Sequence, residues 1–141
     1  MRMKRASVLM IVGAVVASSL ALYLFFITTP EPAAQGGPIV AVQVPDLTAA
    51  ERPGEAAFNT NCAACHGSNA AGKGGVAPPL VHRIYEPGHH GDQAFLLAAQ
   101  FGVRAHHWPF GDMPPVKGVS ESEVESIVAY IRALQRANGI D

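Results

Sequence analysis

The chain has 141 residues, with ten Lys and Arg against eleven Asp and Glu, a length that fits one compact domain plus accessory segments. Arg2, Lys4 and Arg5 open the chain, so everything after them carries seven basic against all eleven acidic side chains. That mildly acidic remainder lacks the basic stripe of a nucleic-acid binder, and two cysteines are too few for a disulfide framework or a four-cysteine zinc site.

From Ala6 to Ile27 the chain is uncharged and rich in Val, Leu, Ala and Phe. At the helical rise this run spans about 33 Å, against a hydrocarbon core of roughly 30 Å. The basic flank places the N-terminus in the cytoplasm and exports the rest of the chain. Ala17-Ser18-Ser19 offers small residues for cleavage, but the apolar run continues to Ile27 beyond them, so the segment is expected to stay as an anchor. From Thr28 to about Pro53 the composition shifts to Pro, Ala, Gly and Gln, which reads as an extended tether. Ile39–Val44 alternates like a strand, but prolines on both sides and the lack of a partner make it linker.

Three helices are predicted beyond it and almost no strand. The first runs from Pro53 to Asn61, with Pro53 in its opening turn. The second starts at Asp92 as N-cap and stops at Gly102. The third has a capping box of Ser120 and Glu123, apolar positions Val124, Ile127, Val128, Ile131 and Leu134 at helical spacing, and a stop at Asn138-Gly139. The loops between them are long and rich in Gly and Pro, more irregular chain than side-chain packing alone can hold in so small a domain. A large apolar cofactor in the middle would complete the core.

Cys62-Ala63-Ala64-Cys65-His66 has the form C-x-x-C-H, the pattern of covalent haem attachment. Two thiols two residues apart can reach the two vinyl groups of one haem, while the adjacent imidazole ligates the iron. A redox dithiol would need a βαβ setting, and a zinc site would need further ligands that only the histidine pairs could supply. A six-coordinate haem needs a second axial ligand. Met1, Met3 and Met10 lie in or before the anchor, which leaves Met113 in Phe110-Gly111-Asp112-Met113-Pro114-Pro115. The prolines stiffen that loop, and Gly111 is expected to permit close backbone approach. The other readings of these positions are Met113 as a core filler, and His106 or His107 as the sixth ligand in a bis-histidine pair.

Gly72, Lys73, Gly74 and Gly75 lack the Lys-Ser/Thr ending of a phosphate loop and read as a flexible loop. His89-His90 and His106-His107 read as solvated side chains or contacts to haem propionates, with metal binding or titration near neutral pH as the competing reading. Trp108 is placed at the haem, its indole N–H bonding a propionate or its ring simply packing. Arg83, Arg104 and Lys117 are surface charges, or guides for an acidic partner at the haem edge.

With these residues in view, the chain resembles the class I cytochrome c family from about Gly54 to Leu134. The resemblance implies that Gly54 and Phe58 are N-terminal helix positions packed across Ile127 and Tyr130 of the terminal helix. It implies that the Pro78 carbonyl accepts the His66 Nδ1 proton and that Leu80 packs on the haem. Ala77 departs from the glycine often found there. The expected fold is all-α: a single transmembrane helix over 1–28, a linker over 29–52, and a small helical domain wrapped around one covalent haem over 53–141. The implied function is single-electron transfer through one haem c with His66 and Met113 on the iron, not catalysis. The domain would stand on the periplasmic side of a bacterial cytoplasmic membrane, between redox partners such as a quinol-oxidising complex, a dehydrogenase or a terminal oxidase. A haem peroxidase or gas-binding protein with a displaceable sixth ligand is the enzyme-class alternative.

Overall fold

The computed structural model of the chain describes residues 5–28 and 36–141, and in the first of these stretches the side chains of 14–25. Arg2, Lys4, Pro30 and Pro32 lie outside the described residues. The chain divides into two compact units, 1–32 and 33–141.

The first unit contains α1, Arg5–Thr28. Its exposed apolar side chains, from Val15 and Val16 through Leu20, Leu22 and Tyr23 to Phe25, run round the helix rather than along one stripe. Among the described residues no helix is both long and apolar enough to cross a membrane.

The second unit is helical: α2 (Arg52–Asn61), α3 (Ala63–His66), α4 (Asp92–Phe101) and α5 (Glu121–Ala137), with single 3-10 turns at Ser68–Ala70 and Arg83–Tyr85. Among the described residues, strand pairing is limited to isolated bridges between Lys73 and Ala77 and between Val103 and Met113. α5 forms where the sequence places it, because its start is fixed locally. The Ser120 hydroxyl accepts from the Glu123 amide at 3.3 Å, and the Glu123 carboxylate accepts from the Ser120 amide at 2.8 Å. Every apolar position of the predicted stripe is buried.

α2 and α5 make the most extensive helix contact of the domain. Gly54 permits it: a Cβ there would overlap the Ser126 carbonyl and lie 3.0 Å from the Tyr130 Cβ. Phe58 and Tyr130 then meet with ring centroids 5.6 Å apart at 54°, a tilted pair fully buried in the core with Ile131 and Leu134. A second, smaller cluster of Ala99, Val124 and Val128 lies between α4 and α5.

Two expectations change here. Asp92 is not the N-cap of α4, which is Gly91. Its carboxylate instead accepts from Arg132 Nε at 2.8 Å, so a cation from α5 takes the oxygen that capping would have used. The tether expected over 29–52 is, from Gly36 onward, a strap laid along the domain. Gly36 donates to the Gly74 carbonyl at 2.9 Å, Ile39 to that of Ala71 at 3.0 Å, and Gln43 exchanges two hydrogen bonds with the Asn138 side chain. Val42 and Leu47 pack on the core from the strap. The glycine-rich turn 72–75 is accordingly tied on both sides, because the strap uses its carbonyl and amide groups as partners.

Candidate functional site

The centre of the domain is a cavity of about 680 Å³, in the size range of cofactor sites. Cys62, Cys65 and His66 enter it from α3, Pro78 and Leu80 from the following loop, and Trp108 and Met113 from the loop after α4. The remaining walls are largely apolar, with Phe95 of α4 and Ile127 of α5 facing the same space.

The short helix α3 is continuous with the end of α2. The Cys62 amide caps α2 by donating to the Phe58 carbonyl at 2.8 Å, and the Cys62 carbonyl accepts from His66 at 2.9 Å. One turn therefore presents both sulfurs and the imidazole. Neither cysteine is paired in a disulfide. Burial, with the neighbouring Cys65, pushes the Cys62 thiol up to about 11, the opposite of the low value a redox dithiol uses.

His66 is buried, and its Nδ1 donates to the Pro78 carbonyl at 2.9 Å. Burial lowers its pKa, which favours the neutral ring, and the Pro78 bond partly opposes that; with Nδ1 donating, Nε2 carries the available lone pair of the neutral form. The Pro78 carbonyl is held in place from two directions. The bridge between Lys73 and Ala77 fixes the chain before it, and Leu80 donates to the Ala70 carbonyl at 2.9 Å after it. Ala77 has no left-handed backbone angle to accommodate, so the departure from glycine costs nothing. The strain lies instead at Asn69 and Ala70, both left-handed with φ of 55° and 57°, a cost borne by the packing around the fully buried Ala70.

Met113 is positioned by a two-hydrogen-bond bridge with Val103, each bond 2.9 Å. The close approach that this requires occurs at Gly102, where φ is +75° and a Cβ would overlap the Met113 carbonyl. Gly111 has φ of +86° and turns the loop at the cavity, where nothing lies within 4 Å of an added Cβ. The Asp112 carboxylate closes the loop by accepting from the Ala105 amide at 2.8 Å.

Trp108 stacks on Phe110 at 5.8 Å, and its Nε1 is buried without a hydrogen-bond acceptor. The Tyr85 hydroxyl is near enough for the indole to offset part of the upward pKa shift that burial gives it, but it does not accept a bond. A buried indole donor left open at a cavity wall fits an anionic group such as a haem propionate. His106 and His107 line the cavity too, but His106 Nδ1 donates to the Arg104 carbonyl at 2.8 Å and His107 Nε2 faces His89 Nε2 at 3.5 Å. Arg83, Arg104 and Lys117 are exposed.

A family model for cytochrome c matches residues 51–135. The chain belongs to the cytochrome c family. With that family come covalent haem c and haem-based electron transfer. A curated relative from Azospirillum brasilense, a cbb3-type cytochrome c oxidase subunit CcoP, is 37% identical over 95 residues. That match takes in 63% of this chain and only 30% of the relative, so the chain spans less than a third of that protein's length.

Sequence reasoning missed three participants in the cytochrome c site. Tyr85, on the cavity wall, follows no periodic pattern. Arg132 and Gln135 bind the Tyr85 carbonyl at 2.7 Å and 3.0 Å, and so hold that wall to α5. Their spacing on one helical face was the available signal, but a charged residue beside an apolar stripe reads as surface.

Proposed function

We propose that this cytochrome c is a single-electron carrier holding one haem, thioether-bonded through Cys62 and Cys65, with the iron between His66 and Met113. The observation that carries the reading is the His66 Nδ1 bond to the Pro78 carbonyl at 2.9 Å, in the cavity that both cysteines and Met113 also line. That bond fixes the tautomer and orientation of the ring, leaving Nε2 as the ligand atom. When bound, the haem supplies a one-electron couple, and a thioether sulfur opposite an imidazole favours a raised reduction potential. Apolar walls including Leu80, Phe95 and Ile127 exclude water from the site, and the Trp108 N–H orients a propionate.

The proposed organisation is an anchor over 1–28, a connecting segment over 29–52 and the haem domain over 53–141. The uncharged run from Ala6 to Ile27 supports a single-pass anchor, since at the helical rise it is long enough to cross a hydrocarbon core. The basic residues before it support a haem domain on the periplasmic side of a bacterial cytoplasmic membrane. Proposed partners are a quinol-oxidising complex, a dehydrogenase or a terminal oxidase. The similarity to an oxidase subunit favours a place within, or docking on, a terminal oxidase.

The test is an oxidised and reduced optical spectrum of the purified chain with its haem stoichiometry. One haem per chain and a low-spin spectrum are expected, converting to a high-spin, carbon monoxide-binding form in Met113→Ala. Colourless protein with two alkylatable thiols refutes the carrier. A Met113→Ala spectrum identical to the parent's refutes the sixth ligand, and rapid carbon monoxide binding by the parent favours a gas-binding or peroxidase role.

A further inference from the structure

Four imidazoles converge at one side of the domain, where the turn before α4 meets the loop that leads to Met113. His89 and His107 present their Nε2 atoms to one another at 3.5 Å. Two nitrogens bound at 2.0–2.1 Å to one tetrahedral ion lie about 3.3 Å apart, so the observed separation is already close to that of a ligand pair. His90 completes the group: one ligand nitrogen from each of His89, His90 and His107 lies within 4.8 Å of the other two.

The third ring also carries the outer support that metal-binding histidines use. His90 Nδ1 donates to the Ile84 carbonyl at 2.6 Å, which fixes the tautomer with Nε2 as the free lone pair. Its own carbonyl accepts from Arg132 Nη2 at 2.6 Å, so the turn bearing His89 and His90 is tied to α5 rather than loose. Among the described residues, no other group of His, Cys, Asp or Glu side chains converges in this way.

We propose that His89, His90 and His107 form a binding site for a borderline divalent transition-metal ion of the Zn²⁺ class, separate from the haem iron. Three imidazoles suit Zn²⁺, Ni²⁺ or Cu²⁺ over Ca²⁺ or Mg²⁺, which take oxygen ligands. Exposed His89 and His107 leave the fourth position to water. The ion bridges two loops distant in sequence, one fastened to α5 and the other carrying Met113, and so it restrains the segment that closes the cavity. His106 stands outside the set: its Nδ1 is given to the Arg104 carbonyl at 2.8 Å, and its ring lies tilted at 50° against that of His107.

The experiment is calorimetric titration of the haem-loaded full chain with ZnCl₂ at neutral pH, with the thermal midpoint followed in parallel. One Zn²⁺ per chain is expected, together with a Zn²⁺-dependent rise in midpoint. His89→Ala and His107→Ala each weaken binding by at least about tenfold, the order by which even outer partners of a metal alter its affinity, and abolish the rise. Both replaced residues are exposed, and an unchanged far-ultraviolet circular dichroism spectrum shows the variants to be folded. His106→Ala leaves Zn²⁺ affinity unchanged. Absence of saturable binding, binding indifferent to both variants, or equal loss in His106→Ala overturns the assignment. The Zn²⁺ readout is separate from the haem spectrum that tests the sixth iron ligand.

Discussion

Gly54→Ala isolates the helix contact on which the domain is built. On an open helix surface the change would be favourable by about 0.8–1.0 kcal/mol, the propensity difference between the two residues. Here the new methyl would overlap the Ser126 carbonyl oxygen and lie 2.7 Å from its carbon and 3.0 Å from the Tyr130 Cβ. A backbone carbonyl in the middle of α5 cannot rotate away, so relief requires α2 to lift off α5. That movement loosens the Phe58–Tyr130 pair beneath it, and overpacking of this kind costs about 1–3 kcal/mol, occasionally more. With backbone as the obstacle, the upper end applies, leaving a net loss of about 2 kcal/mol after the propensity gain. In a domain of this size each kcal/mol moves the thermal midpoint by about 4–8 °C, so a fall of roughly 10 °C is expected. Thermal unfolding followed by far-ultraviolet circular dichroism, at matched haem content, measures it. Gly88→Ala is the control, since nothing lies within 4 Å of a Cβ there. Its expected effect is neutral or slightly stabilising. A Gly54→Ala midpoint equal to or above that of the parent would refute the close helix crossing.

Two further substitutions separate effects of similar appearance. Ser120→Ala removes the N-cap of α5 and should cost about 1 kcal/mol in urea unfolding. Ser120 holds the Glu123 carboxyl below its ordinary range through side-chain and backbone hydrogen bonds, and a depressed carboxyl stabilises above its unfolded value of about 4.3. The gap between parent and variant should therefore be full at neutral pH and narrow as the pH falls through the folded value; a gap that widens on acidification contradicts the capping box. Arg132→Met keeps much of the buried volume but leaves the His90 carbonyl and the Gln135 side-chain oxygen without their donor and takes one of two donors from the Tyr85 carbonyl, for an expected loss of about 3 kcal/mol. Asp92→Ala should cost under about 1 kcal/mol, because that carboxylate is 66% exposed and its ion pair is correspondingly screened. Equal losses in the two variants would mean that the ion pair, and not the carbonyl contacts, is what Arg132 contributes.

Local chemistry determines the features that could be read from the sequence. The capping box at Ser120, the apolar stripe of α5 and the Cys62–His66 motif each act within one or two turns, so residue type and spacing suffice to reveal them. Resemblance extended this to Gly54 and the Pro78 carbonyl, whose roles depend on partners far along the chain. Beyond that range the sequence was mute for physical reasons. Nothing in Gly36 or Gln43 announces that their backbone groups will pair with Gly74 and Asn138, because a Pro-rich strap bound by main-chain atoms has the composition of a free linker. Gly102 and Gly111 look alike as letters, yet only the first lies against the Met113 carbonyl. His89 and His107 are separated by α4, and their facing nitrogens result from how two loops close, which no helical or strand period encodes.

The division of the core bears on how these parts depend on one another. One cluster gathers around Phe58, Tyr130, Ile131 and Leu134, the other around Ala99, Val124 and Val128, and Phe95 and Val119 touch both from the partly buried margin. Between and beside them lies the cavity rather than more side chains, so the interior is continuous only when an apolar group fills it. The hydrogen bonds of α3 all run within 58–67, so the cysteines are presented by local backbone geometry. The Met113 loop is the opposite case. Its order rests on the Val103 bridge, the Asp112 contact and the space into which the methionine projects, so it is the element whose position most depends on cavity occupancy. On the proposed ligation, the loop after α4 supplies the distal ligand, while the attachment site is held by hydrogen bonds local to 58–67. The imidazole of His107 sits on the same loop as Met113.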